Sequence, residues 1–406
     1  MMTTDANDPG HMALEPLIRL IGADLWRQRM AEIRALASSG PRAGLAIRQR
    51  HSLELTIDKL RRPRNRALTP GERVVAKIAA AMGPLAEDLS PSGRLRLTER
   101  LAEAVTGQNT LVPLFHLVRT ALMQQARGFA VRFSGLEDGT PFDLLLQRAG
   151  VEAEVACDVV TAEEGRGVHR GAWFRLADRI DPDLQTWLAS HPGRYLLKMT
   201  LPQGLRGGLH DADADGGTLV QVHERITGML RSATRQDYDE AIVLRLDPLL
   251  LAGAQAEDNG LIPRLRREFG PEAHLSVTTA GDAVFVMAAR AGQENEVAIA
   301  IRRRLGAIAP QRMTGERPGI LAIFVEDTDK LEWRGLRERL ELEGEARQFM
   351  THQAARSVVA VTFASRLELF GLAEPDAAAE GEIRFRNPGH PAAGHPALAP
   401  AVLSSG

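Results

Sequence analysis

Apolar positions in the first third of the chain recur at helical spacing. In ALEPLIRLIGADLWRQRMAEIRALA, residues 13–37, Leu17, Leu20, Ile21, Leu25, Met30 and Ile33 form one stripe of an amphipathic helix. Pro41 and Gly44 interrupt it, and LAIRQRHSLELTIDKLRRPRNRALT resumes the pattern as far as Pro63. A further start is predicted at Thr69-Pro70-Gly71-Glu72, where a capping threonine, a proline at the first helical position and an acidic first turn coincide. RLRLTERLAEAVTG closes a helical N-terminal region over residues 1–110, and LVPLFHLVRTALMQQARG continues the helical register beyond it. At Phe129 the period changes to two. AVRFSG, PFDLLLQRAG and VEAEVACDVV read as three strands, the first two separated by the turn EDGT. A helix from about Arg170 and the strand RYLLKMTL complete an αβββαβ order.

Helices and strands alternate further on. GTLVQVHERITGMLRSAT, LIPRLRREFG and ENEVAIAIRRRLGAIA read as helices, and DEAIVLRLD, HLSVTTA, AVFVMAARA, GILAIFVED and SVVAVTFASR as strands. LEWRGLRERLELEGEARQFM reads as one amphipathic helix with Leu331, Leu336, Leu340 and Leu342 on its apolar side, either core packing or a partner surface. This pattern predicts an α/β (α+β) domain over 111–372, with the densest signal in 111–205. From Ala373 the periodicity stops as alanine, proline and glycine accumulate, so 373–406 is expected to be a disordered tail. No self-similar period suggests a repeat array.

Composition narrows the class. The 406 residues suit two compact units, and 44% hydrophobic residues suffice for a core. A formal net charge of -2 excludes a uniformly basic nucleic-acid coat. One cysteine, Cys157, excludes an internal disulfide and any multi-cysteine zinc module, and alternation makes it a buried small hydrophobe. Without a signal-peptide layout or an apolar run of membrane length, a cytoplasmic, bacterial-type protein with no membrane partner is expected. No Walker loop, GxSxG elbow, HExxH or dinucleotide fingerprint occurs. His210-Asp211-Ala212-Asp213-Ala214-Asp215-Gly216 opens like a calcium loop, but Val222 stands where the bidentate acid belongs.

Charge is unevenly placed. Residues 42–77 gather arginines, most densely at Arg61, Arg62 and Arg64, a footprint for phosphate that is not interleaved with aromatics for base stacking. Residues 152–164 are acidic. Arg166, His169 and Arg170 lie at a helix entrance, where a phosphate could be met.

Residues 111–200 resemble the core of the PD-(D/E)XK nuclease superfamily, the restriction-endonuclease-like fold. Pro141-Phe142-Asp143 stands for the first motif element. Glu154-Val155-Ala156-Cys157-Asp158 stands for the second, which in some members reads like E-C-K. Thr161, Glu163, Glu164, Gly165-Arg166 and His169-Arg170 follow as in those members. The resemblance implies a mixed sheet flanked by helices, with two carboxylates holding Mg²⁺ or Mn²⁺ and a lysine near the attacking water.

Here the expected acid is Ala156 and the expected lysine is Asp158. Glu154, Ala156 and Asp158 share one strand face, but Glu154 and Asp158 lie roughly 13 Å apart along it. The favoured expectation is a pseudo-nuclease: a nuclease-fold protein without metal or hydrolysis that binds DNA or RNA or serves in assembly. The alternative is an active Mg²⁺- or Mn²⁺-dependent nuclease, with Asp143 and Glu154 or Asp158 as metal ligands and Lys198 as the cation. A third reading is a protein-interaction scaffold using the helical regions.

Overall fold

The computed structural model describes residues 14–62, 66–207, 216–249, 265, 266, 269, 274–293 and 295–405. The helical register of the first third becomes α1 (Glu15–Ile21), α2 (Ala23–Leu36), α3 (Pro41–Arg50), α4 (Ser52–Leu60), α5 (Pro70–Asp88), α6 (Pro91–Ala104) and α7 (Val112–Ala126). At α5 the predicted start is a full capping box: the Glu72 amide donates to Thr69 Oγ1 (3.2 Å) and the Thr69 amide to Glu72 Oε2 (2.9 Å).

Then come β1 (Ala130–Arg132), the single turn α8 (Ser134–Glu137), β2 (Leu144–Arg148) and β3 (Val151–Thr161). They are followed by α9 (Arg170–Ser190), β4 (Arg194–Leu201), α10 (Gly216–Arg231), β5 (Gln236–Tyr238), β6 (Val243–Pro248), β7 (His274–Ala280) and β8 (Ala283–Ala291). The chain ends with α11 (Val297–Arg312), β9 (Gly319–Glu326), α12 (Lys330–Glu338), α13 (Glu341–Met350), β10 (Val358–Ser365), α14 (Arg366–Leu369), β11 (Ile383–Arg386) and α15 (Ala399–Val402).

Two compact units result. The first takes the described residues of 1–33, 50–162 and 298–406, and the second those of 34–49 and 163–297. Each has its own sheet, so the chain is a mixed α/β protein.

In the first unit the strand order is β1-β2-β3-β9-β10-β11. β1, β2 and β3 form an antiparallel meander, β9 runs parallel to β3, β10 parallel to β9, and β11 antiparallel to β10. β10 is buried at every position and β9 at all but its last, as continuous aliphatic runs require when both sheet faces are covered. α7 packs on β3, β1 and β9. In the second unit the order is β5-β6-β4-β8-β7, with β4 and β8 parallel. Trp173, Leu176, Ile180, Leu184 and Leu188 of α9 recur at steps of three and four and close that core.

Several expectations change. RYLLKMTL, read as the next strand of the meander's sheet, is β4 and belongs to the other sheet; GILAIFVED, as β9, lies beside β3 instead. No unit boundary falls at residue 110, because α5, α6 and α7 belong with the first sheet. The tail expected to be disordered carries β11, and Leu398, Ala401 and Val402 are buried. Its small apolar residues lack periodicity because they fill irregular backbone over a sheet edge. The amphipathic helix at 331–350 is two helices, broken where Leu340 takes a left-handed φ of 59°. Leu336 and Leu342 are buried there, whereas Leu331 and Leu340 are exposed. Residues 210–215 of the acidic turn and most of the helix read at 261–270 lie outside the described residues.

Candidate functional site

Asp143 directly precedes β2. Its amide donates to the Val155 carbonyl (2.9 Å), and continuing the Leu144↔Val155 register by one residue sets it opposite Ala156. Its buried carboxylate accepts the Cys157 amide on Oδ2 (2.8 Å). The same oxygen takes Arg312 Nη2 from the end of α11 (2.5 Å), while Oδ1 takes Arg100 Nη1 from α6 (3.4 Å). Arg312 is held in place by a further hydrogen bond from its Nε to the Pro141 carbonyl. Two guanidiniums and a backbone amide therefore surround the carboxylate that the resemblance makes a metal ligand.

The other two acids are engaged elsewhere. Glu154 is fully buried, accepting the Thr314 amide (3.0 Å) and the Thr314 hydroxyl, with Arg317 Nη1 at 3.6 Å. Asp158 forms a two-pronged pair with Arg304 of α11, Nε to Oδ2 at 2.8 Å and Nη2 to Oδ1 at 3.2 Å. Among the described residues no group of three or more His, Cys, Asp or Glu side chains is placed to hold a metal. Each of the three carboxylates that the resemblance would give to Mg²⁺ or Mn²⁺ is instead engaged by cations or donors of the chain itself. Lys198 lies on β4 in the second sheet, with its ammonium 3.3 Å from Asp247 and 5.9 Å from the Phe269 ring.

A cavity of about 480 Å³ opens beside Asp143 in the first unit. Arg50, Arg100, Glu103, His116, Asp143, Asp158, Arg312 and Glu326 supply its charged and imidazole lining, and Pro113, Leu114, Leu117 and Val159 an apolar wall. His116 places Nε2 3.0 Å from the Ala322 carbonyl, and burial lowers its pKa to about 4, so the ring is neutral near neutral pH. Burial, followed by repulsion from Asp327, raises Glu326 to about 7. Cys157 also lines this cavity, and burial followed by the Asp143 charge pushes its thiol well above its ordinary value, which is the opposite of an activated nucleophile.

The helix entrance at Arg166-His169-Arg170 already holds an anion belonging to the chain. Glu163 Oε2 accepts the Arg170 amide at the start of α9 (2.9 Å), and Glu163 Oε1 pairs with Arg166, whose side chain is only 2% exposed. His169 Nδ1 accepts the Gly207 amide (3.4 Å). Five of the seven described arginines of 42–77 are likewise paired with carboxylates, while Arg48 and Arg73 donate to the Ala37 and Leu68 carbonyls. Arg61 meets Glu15 (3.6 Å), Arg62 meets Asp58 (2.5 Å), Arg66 meets Glu72 (2.5 Å), and Arg50 meets Asp327 (3.2 Å). Within the second unit, Arg42 meets Asp181 (2.8 Å). Arg66 holds the Glu72 carboxyl far below its usual range. Arg64 lies outside the described residues.

Arg100, Arg304, Arg312 and His116 were not marked by any motif. Their partners, Asp143 before β2, Asp158 on β3 and Ala322 on β9, lie in distant segments, and a run such as IRRRLG reads only as a basic helix face. No family model, curated protein or solved structure matches the chain.

Proposed function

We propose that the first unit is a nuclease-like core whose hydrolytic site has been replaced by internal ion pairs, and that it acts as a nucleic-acid-binding module. The observation that carries this reading is Asp143 facing Ala156 and held by Arg100 and Arg312. The topology adds support. When residues 163–297 are set aside as an inserted unit, the remaining order is α7, β1, β2, β3, α11, β9, with β9 parallel to β3. That is the αβββαβ order the resemblance implies, with α11 and β9 taking the places first given to α9 and β4. Order and pairing are fold-level analogy, whereas the loss of hydrolysis is argued from the side chains themselves.

The nucleic-acid role draws on Arg100 and Arg304, whose side chains are each 41% exposed at the site. Binding through such contacts is salt-dependent, each phosphate contact contributing about 0.7 to 0.9 to the slope of log affinity against log salt. Fluorescence anisotropy with single- and double-stranded DNA and RNA over a salt series tests it. Affinity that falls with salt, with a slope lowered by about one in Arg304→Gln, is expected. No binding to any of the four at low salt would overturn the nucleic-acid role.

A further inference from the structure

The second unit leaves half of one sheet face open to solvent. Side chains alternate along its strands, and Leu197, Met199, Leu244, Leu246, Phe285 and Met287 turn into the core that α9 closes. The residues between them turn outward. The register sets Gln236 opposite Arg245 and Arg245 opposite Lys198, and in the next row Tyr238 opposite Val243, Val243 opposite Thr200 and Thr200 opposite Arg290. These two rows cross β5, β6, β4 and β8, about 14 Å from the first strand to the last. On the same face Leu196, Val284 and Val286 pack with Leu249 and Leu265 and are buried. The two rows are not: Tyr238 is 76% exposed, Gln236, Val243, Arg245 and Arg290 are exposed, and Lys198 is half-buried.

Three cations on this face share one carboxylate. Asp247 takes Arg245 Nε (2.9 Å) and the Lys198 ammonium (3.3 Å). Arg290 donates Nε to Thr200 Oγ1 (3.2 Å) and forms no ion pair among the described residues. The neighbouring acids do not cancel the surplus. Asp237 points to the opposite face, where with Asp239 it holds Arg225. Counting Glu240 of the β5–β6 turn as well, the described residues of this surface keep a net positive charge. Aromatic rings flank the cations: Tyr238 stands open at one edge, and half-buried Phe269 lies 5.9 Å from Lys198 Nζ. Arginines beside an open ring match a phosphate and an unstacked base together. A duplex keeps its base faces stacked, so only a single strand satisfies both parts.

We propose that this sheet face binds a single strand of nucleic acid, a base stacking on Tyr238 and phosphates meeting Arg245 and Arg290. Stacking and phosphate contact are common to RNA and DNA, so the surface takes either. The inference goes beyond the reading of the first unit and does not depend on Arg100 or Arg304.

The chain has tyrosine only at 195 and 238, and Tyr195 packs against Trp187 and Phe285, which makes it an internal reference. The full chain is labelled with 3-fluorotyrosine and followed by fluorine NMR. It is titrated with short oligo-U and oligo-dT, with a DNA duplex of equal length, and with polyglutamate. Saturable movement of the Tyr238 signal with both single strands is expected, with Tyr195 unmoved and little response to the duplex or to polyglutamate. Arg245→Gln and Arg290→Gln, both at exposed positions, are each expected to raise the midpoint about threefold and to lower its salt slope by about 0.7. Arg304→Gln in the first unit is expected to leave the Tyr238 titration unchanged, so the two readings fail separately. No movement of Tyr238 with either strand at low salt overturns the proposal. So does a midpoint unaltered in the double variant, or an equal response to the duplex. An equal response to polyglutamate overturns it in favour of an acidic peptide.

Discussion

Removing the Asp143 side chain separates an arginine-held carboxylate from a metal-ready one by the sign of a stability change. In a cluster of acids awaiting a cation, like charges repel, and deleting one stabilises the metal-free protein. Here Asp143→Ala takes away the acceptor of the Cys157 amide and the partner of two arginines. A hydrogen bond to a buried charged group contributes about 1.5–3 kcal/mol. The Arg312 pair, with that side chain 28% exposed, adds about 1 kcal/mol after screening, and the longer, more exposed Arg100 pair adds close to nothing. The total is about 3 kcal/mol, which for a domain of this size corresponds to a fall of about 6–12 °C in melting temperature. Asp143→Asn, which retains an acceptor for the Cys157 amide, is expected to lose about half as much. Thermal unfolding by circular dichroism, with and without Mg²⁺, provides the assay. A melting temperature that holds or rises in Asp143→Ala would refute the reasoning. A wild-type gain with Mg²⁺ that the variant lacks would do the same.

Three further predictions concern other charged or titratable groups. Glu163→Ala leaves Arg166 without that carboxylate and uncaps α9, so a loss of about 3–5 kcal/mol in denaturant unfolding of the second unit is expected, and an unchanged midpoint would contradict the assigned cap. For Glu326 the folded pKa of about 7 lies above the ordinary value of 4.5, so the folded state holds the extra proton between those values and stability falls as pH rises through that window. Wild type should therefore lose up to about 1.4 kcal/mol per pH unit there relative to Glu326→Gln, and parallel stability curves would contradict it. His116 acts in the opposite sense. Its folded pKa of about 4 lies below the ordinary value of 6.5, so its contribution is present above about 6.5 and is lost as pH falls toward 4. NMR titration should find its ring neutral throughout the range above about pH 5.

Much of the architecture was legible in residue order. The period-two segments around 130–160 became the meander, Thr69 to Glu72 became the capping box, and the aliphatic runs at 319 and 358 became the buried parallel strands. The misreading arose at β4. Consecutive strands usually neighbour one another, so RYLLKMTL was the natural fourth strand, yet the chain builds a complete second sheet before α11 and β9 return to β3. Local periodicity contains nothing that reports such an insertion. Face alternation on β3 put Ala156 and Asp158 in the places of the acid and lysine that the resemblance would call for. It could not supply the partners of Asp143 and Asp158, because Arg100, Arg304 and Arg312 reach them from segments 43, 146 and 169 residues away. The pairings of the basic stretch at 42–77 were hidden in the same manner, since its carboxylate partners are mostly remote in sequence or reached only through helix geometry.

The central claim, that this site holds arginines where a nuclease would hold a metal, is tested most directly by cleavage. Wild type and Asp143→Ala are incubated with single- and double-stranded DNA and RNA in Mg²⁺ and in Mn²⁺, and the products are resolved on denaturing gels. The account predicts no metal-dependent cleavage by either protein. Cleavage by wild type that requires the metal and disappears in a folded Asp143→Ala would contradict it.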